Sequence, residues 1–212
     1  MFIATDQPHG LPRNPFAALV VPRPIGWIST LNADGVANLA PYSYFNVVAY
    51  KPAQIMFAST GPHRDGGLKD SISNIEATGE FVANMATWDL RQQVSDTSTP
   101  APRGVDEFEA VGLGKLPSKL ISPPRVAESP AHLECKLVDI VVLPLKRNPD
   151  DEINKMVIGE VVGIHIDDDV MTDGFVDLSK IRPLARLGYL DYTSVVDVFA
   201  MERPEWPLKE GG

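Results

Sequence analysis

Three short stretches carry the groups best suited to chemistry. Residues 22–46, PRPIGWISTLNADGVANLAPYSYFN, place two hydroxyls, Ser29 and Thr30, at a strand end and an amide at Asn38. The run Ala40, Pro41, Tyr42, Ser43, Tyr44, Phe45, Asn46 then sets hydroxyl, amide and aromatic groups on irregular backbone near a strand edge. Such a surface suits a flat polar ring, which needs apolar cover for its face and hydrogen-bond partners for its edge. An aromatic turn packed against the core accounts for the same composition. In the second stretch, Lys69, Asp70 and Ser71 open a helical pattern, with Asn74 one turn later. Unpaired N–H groups and the positive end of the helix dipole favour an anion such as phosphate there, and lysine adds a point charge. An ordinary capped surface helix is the plain alternative. The third candidate is His165, which shares one face of a strand with Gly159, Val161 and Gly163 by alternation. Glycines let a ligand approach closely, so His165 either donates to that ligand or is a satisfied structural histidine.

Other chemistries find no footing. Cys135 alternates with Leu133 and Leu137, which points to a buried, inert thiol. His9, His63 and His132 are scattered, so no metal site is expected. There is no G-x-S-x-G nucleophile elbow. Gly112-Leu113-Gly114 lacks the third glycine and the βαβ setting of a dinucleotide fingerprint.

The elements that must position these groups are mostly strands. Residues 25–31 and 36–39 read as a hairpin around the turn Asn32-Ala33-Asp34-Gly35. Residues 54–59 and 81–85 are short buried strands, and residues 131–143, 155–167 and 192–201 follow as longer ones. Leu68, Ile72 and Ile75 fall at helical spacing before Gly79, a C-terminal cap, and residues 89–97 form a second helix. Residues 98–130, rich in proline and glycine, read as excursions over the surface broken by a turn or short helix. Six or seven consecutive strands with few helices predict a mainly β, antiparallel, Greek-key-like barrel.

Bulk composition agrees. A chain of 212 residues, 44% hydrophobic and 22% charged, is long enough for one domain spanning 1–212. A net charge of -9 without a basic run disfavours nucleic acid. No membrane span and no signal-peptide core are visible, and a single cysteine fits a cytoplasmic protein.

PRPIGWIST, DGVANLAPYSYFN, QIMFAS and LKDSISNI, followed by IGEVVGIHIDD, Asp173-Gly174 and PLARLGYLDY, resemble the flavin reductase-like family in order along nearly the whole chain. That family includes flavoredoxin and the reductase components of two-component monooxygenases. The resemblance implies an FMN-binding split barrel and a homodimer with the flavin near the subunit interface. It implies hydride transfer from NADH or NADPH to FMN for a downstream acceptor such as a monooxygenase. Any nicotinamide would bind without a Rossmann domain, stacked over the flavin ring. A non-catalytic FMN carrier or sensor is the other reading.

On this resemblance Ser29, Thr30, Lys69 and Ser71 hold the phosphate end. Asn38, Ala40, Pro41, Tyr42, Ser43, Phe45, Asn46, Ser59, Asp70 and Asn74 complete the cofactor site, and His165 is the catalytic candidate. Ser71 stands where threonine is common in the family. Residues 61–67, GPHRDGG, replace a shorter expected turn, so Arg64 is either a further phosphate holder or a solvated side chain.

Overall fold

A computed structural model describes residues 1–143 and 154–206. Its frame is seven strands: β1 (Gly26–Leu31), β2 (Ala37–Tyr42), β3 (Phe45–Tyr50), β4 (Ala53–Ser59), β5 (Glu80–Met85), β6 (Ala131–Leu143) and β7 (Asn154–Ile166). They form one antiparallel sheet in the order β2-β1-β5-β6-β7-β4-β3. The Asn32 side chain turns β1 into β2 by accepting from the backbone N–H groups of Asp34 and Val36, while Gly35 takes φ 79°.

The two edge strands, β2 and β3, are consecutive in the chain, separated only by Ser43 and Tyr44. The sheet curls until Tyr42 meets Phe57 of β4, ring centroids 4.7 Å apart, and Ala58 N–H donates to the Tyr44 carbonyl at 2.8 Å. Among the described residues β2 and β3 do not pair with each other. The result is a split barrel, as the sequence predicts.

Helix α1 (Asp70–Thr78) packs Ile72 and Ile75 into the barrel core beside Ile28, Phe57, Phe81 and Val157. Each fully buried side chain of this kind contributes roughly 1.5–3 kcal/mol. Gly79 ends the helix at φ 70°, its N–H donating to Ile75 O. Gly159 is glycine because a Cβ there would lie 2.4 Å from the Phe81 ring.

Alternation gives β1 and β2 a second apolar face, with Trp27, Ala37 and Leu39. Helix α2 (Arg91–Asp96) covers it with Val94, and helix α3 (Glu107–Ala110) covers it with Phe108. Leu113 and Val126 join them, so residues 98–130 build a second core rather than merely crossing the surface. Periodicity could not show this, because the segment contributes isolated apolar residues rather than a regular element.

Two other expectations are corrected. Only Tyr192–Ser194 of residues 192–201 is strand; it pairs with Leu184–Arg186, which pairs in turn with Arg23–Pro24. In β7, the register against β6 shifts between Val161 and Gly163. One extra residue reverses the facing of everything beyond it. Val161 therefore packs on the barrel core while Gly163 faces Glu134, and His165 leaves the face it was expected to share with Gly159 and Val161. Among the described residues no helix is long and apolar enough to cross a membrane.

Candidate functional site

Beside edge strand β2 lies a cleft of about 310 Å³. One wall is β2 itself, with Asn38, Ala40, Pro41 and Tyr42; the start of α1 supplies Lys69, Asp70 and Ser71. The preceding loop adds Pro62, His63 and Arg64, and residues 97–101 with Glu107 close the far side. Seven of the residues expected from the sequence thus meet in one cavity, whose volume is that of a small-molecule site.

The floor is a connected set of hydrogen bonds. Glu107 Oε2 accepts from Asn38 Nδ2 and Leu39 N, both at 2.9 Å. Asn38 Oδ1 accepts from Ser71 Oγ at 2.8 Å, and the Tyr42 hydroxyl bonds the Ser71 and Ser59 side chains. Burial pushes the Tyr42 hydroxyl up to about 12 against those two bonds, so it stays protonated at ordinary pH. Burial likewise lifts the Glu107 carboxyl above the usual carboxylate range; the Leu39 N–H and the Asn38 amide oppose the rise, and Asp70 adds to it.

The rim carries charges of both signs: Lys69 and Arg64 stand with Asp70, and Arg64 Nε lies 3.7 Å from Asp65 Oδ1. Arg64 donates to Pro100 O at 2.9 Å, which holds the 97–101 wall against the loop that carries His63. Arg103 pairs with Asp70 and donates to the carbonyls of Gly66 and Leu68. Arg103 thereby fixes the chain just before Lys69. His63 Nε2 lies 3.7 Å from Asp70 Oδ2.

Seven expected residues lie off this cleft. Ser29 is fully buried, donating to Pro124 O at 2.6 Å, and Thr30 is fully buried, accepting from Asn74 Nδ2 at 2.9 Å. These three bind the barrel wall to α1 and to the loop before β6, and Ser29 and Thr30 do not line the cleft. Ser59 sits behind Tyr42. The backbone expected to be irregular is strand up to Tyr42 and again from Phe45, which turns Ser43, Phe45 and Asn46 away from the cleft lining. Phe45 rests on Gly26, where a Cβ would meet its ring at 2.5 Å, and exposed Asn46 accepts from Val47 N.

His165 lies elsewhere, beside an apolar cavity of about 220 Å³ lined by Ile25, Phe45, Leu133, Ile164 and His132. Its Nε2 is 2.5 Å from Oε1 of Glu134, a fully buried carboxylate that also accepts from Lys119 N and Leu120 N at 2.7 Å. Burial would lift the Glu134 pKa, but the Lys119 N–H, His165 and the Leu120 N–H together hold it below the usual range. Neighbouring His132, 1% exposed, is pushed down to about 4 by burial. Among the described residues no group of three or more His, Cys, Asp or Glu could hold a metal ion.

The sequence reading missed residues 97–101, Arg103 and Glu107. None lies near the recognised motifs; the packing of the second core brings residues 97–101 and Glu107 to the cleft, and Arg103 stands outside its lining, on Asp70.

Comparison with known proteins places the chain in context. Residues 18–185 match the family model described as the flavin reductase like domain. An uncharacterised protein of Aquifex aeolicus is 38% identical over 171 residues, 80% of this chain and 83% of that one. Among solved structures, nitrilotriacetate monooxygenase component B from Bacillus cereus superposes with a TM-score of 0.80 at 27% identity, covering 92% of this chain and 100% of that one. A Shewanella frigidimarina protein assigned as a flavin reductase with split barrel domain gives 0.76 at 25% identity, covering 89% of each chain.

Proposed function

The chain belongs to the flavin reductase-like family, and on that premise we propose that it binds FMN in the β2 cleft and works as an NAD(P)H:flavin oxidoreductase. The observation that carries this reading is the pairing, in one cavity, of a strand-edge wall with a helix start flanked by Lys69 and Arg64. Ala40 and Pro41 offer apolar cover and main-chain carbonyls to a ring, and Tyr42 keeps its hydroxyl protonated beside them. Lys69 and Arg64 offer charge to a phosphate, as do the N–H groups of Asp70 and Ser71, which have no partner inside the helix that they begin. Arg103 keeps that helix start in place by holding Asp70 and two carbonyls before it.

FMN held there would supply a two-electron acceptor for hydride from a reduced nicotinamide, with a monooxygenase or another acceptor as the final destination. The protein's part is to bind, orient and shield, which is why no acid–base dyad of the hydrolytic kind is needed. Ser29, Thr30 and Asn74 serve the site at one remove, by seating α1 on the barrel.

The homodimer remains part of this reading. Apolar side chains stand unpartnered on β3 and in the C-terminal segment, including Val47, Tyr50, Val198 and Phe199. Light scattering at FMN-saturating concentration should give twice the chain mass. The activity is tested by anaerobic addition of NADH or NADPH to the FMN-loaded protein. Bleaching of the yellow flavin is the expected result; a stable yellow colour with both donors would leave a carrier or sensor.

A further inference from the structure

Two carboxylates line the cleft, and they are held differently. Asp70 is paired with Arg103 and faces His63. Glu107, half-buried, is held by neutral donors, the Asn38 amide and the Leu39 N–H, which converge on one carboxyl oxygen. We propose that Glu107 is the proton-holding group of the cleft: it takes up a proton when an anionic flavin nucleotide enters and returns it when the nucleotide leaves. The proposal rests on the reading above that the cleft takes FMN.

The geometry supplies the cause. Glu107 stands where α3 begins and shares the cavity with Lys69 and Arg64, the side chains offered to the phosphate. A ligand in that cavity removes water from the carboxyl and brings further negative charge, and both effects favour the neutral acid. The carboxyl already lies above the usual range before any ligand arrives, through burial first. On its own element Asp106 and Glu109 are both engaged by Lys115. From α1 it meets Asp70, whose charge Arg103 partly offsets, and from the 62–64 loop it shares the cavity with Arg64 and His63. The wall from β2 presents only Asn38 and the Tyr42 hydroxyl, which keeps its proton.

The sign of the linkage follows. A group whose pKa rises on binding gives full affinity below its free-state pKa and loses it as pH climbs toward the bound-state value. For one proton the loss reaches at most about tenfold in Kd per pH unit. The FMN phosphate also titrates, with a second pKa of about 6, and its contribution is common to wild type and variant.

The full-length protein, freed of flavin, is titrated with FMN by calorimetry between pH 6.5 and 8.5 in two buffers of different ionisation enthalpy. The expected result is proton uptake by the wild type beyond that of Glu107→Gln, with a Kd that weakens more steeply as pH rises. Glu107→Gln keeps an oxygen for Asn38 and Leu39 but is permanently neutral, so it should bind FMN without that excess and with a flatter Kd. His63→Gln should retain the uptake. As a measurement independent of how the variant folds, infrared difference spectra of the wild type should gain the C=O stretch of a protonated carboxyl on FMN addition. Equal uptake in Glu107→Gln and wild type overturns the proposal, as does FMN binding by the wild type with neither uptake nor a new carboxyl band. Wild type that binds no FMN at any pH overturns the flavin reading itself.

Discussion

Glu134 and Glu107 are both drawn out of bulk water by the same barrel, yet their pKa values move in opposite directions. Glu134 is fully buried on β6 and meets three donors, Lys119 N, Leu120 N and His165, which hold its pKa below the usual carboxylate range. Glu107 is half-buried on the cleft floor and meets neutral donors at one oxygen, and its pKa lies above that range. The first glutamate is part of the structure: it ties the 117–120 loop to β6 and β7. The second keeps a titration that a ligand can move. Burial of a titratable group therefore does not identify function; what matters is whether its partners have already used it.

The largest expected effect lies at the structural end of the comparison. Glu134→Ala leaves two N–H groups and His165 without their acceptor, and loss of one partner from a buried pair costs roughly 3–5 kcal/mol. Urea unfolding should show this, while FMN affinity of the folded protein stays near that of the wild type. If the stability is unchanged and FMN binding collapses, the roles of the two glutamates are reversed.

Acid should act on the same end. His132 is pushed from 6.5 to about 4, so the folded state refuses a proton that the unfolded chain accepts. Its contribution is present above pH ~6.5 and is lost as pH falls toward 4, on the order of 3 kcal/mol in full. Glu134, also depressed, loses its contribution at still lower pH. Urea midpoints measured from pH 7 to 4 should fall, and fall less in His132→Asn once its own starting stability is subtracted.

At the cleft, Lys69→Ala should weaken FMN binding by about 1.5–3 kcal/mol, the range for hydrogen bonds to charged groups, with little change in melting temperature. A stability loss without an affinity loss would make Lys69 a helix-start residue only. The smallest effect is expected at Asn46→Ala: the residue is exposed on β3 and off the cleft, so both stability and FMN affinity should move by less than about 0.5 kcal/mol. A larger affinity change would extend the ring site across the split toward β3.

What the sequence revealed and what it hid divide by range. The β1–β2 hairpin, α1 with its Gly79 cap, and Lys69-Asp70-Ser71 at the helix start are local, and local turn and capping chemistry makes them legible. Glu107 and residues 97–101 reach the cleft only because Phe108, Val94 and the Trp27–Thr97 hydrogen bond fold a distant segment over β1 and β2. His165 was misplaced because a bulge after Val161 reverses the alternation that a strand pattern assumes. Ser29 and Thr30 are expected at the phosphate end from their motif, but the folded chain buries them, with Ser29 donating to Pro124 O and Thr30 accepting from Asn74.

The central claim, that ligand chemistry belongs to the β2 cleft and not to the histidine pair on β6 and β7, is tested most directly by one fluorescence titration series. FMN is added to flavin-free wild type, Lys69→Ala and His165→Asn. We predict saturable binding by the wild type, weaker binding by Lys69→Ala, and wild-type affinity in the folded fraction of His165→Asn. Wild-type affinity in Lys69→Ala together with lost binding in folded His165→Asn would contradict the account.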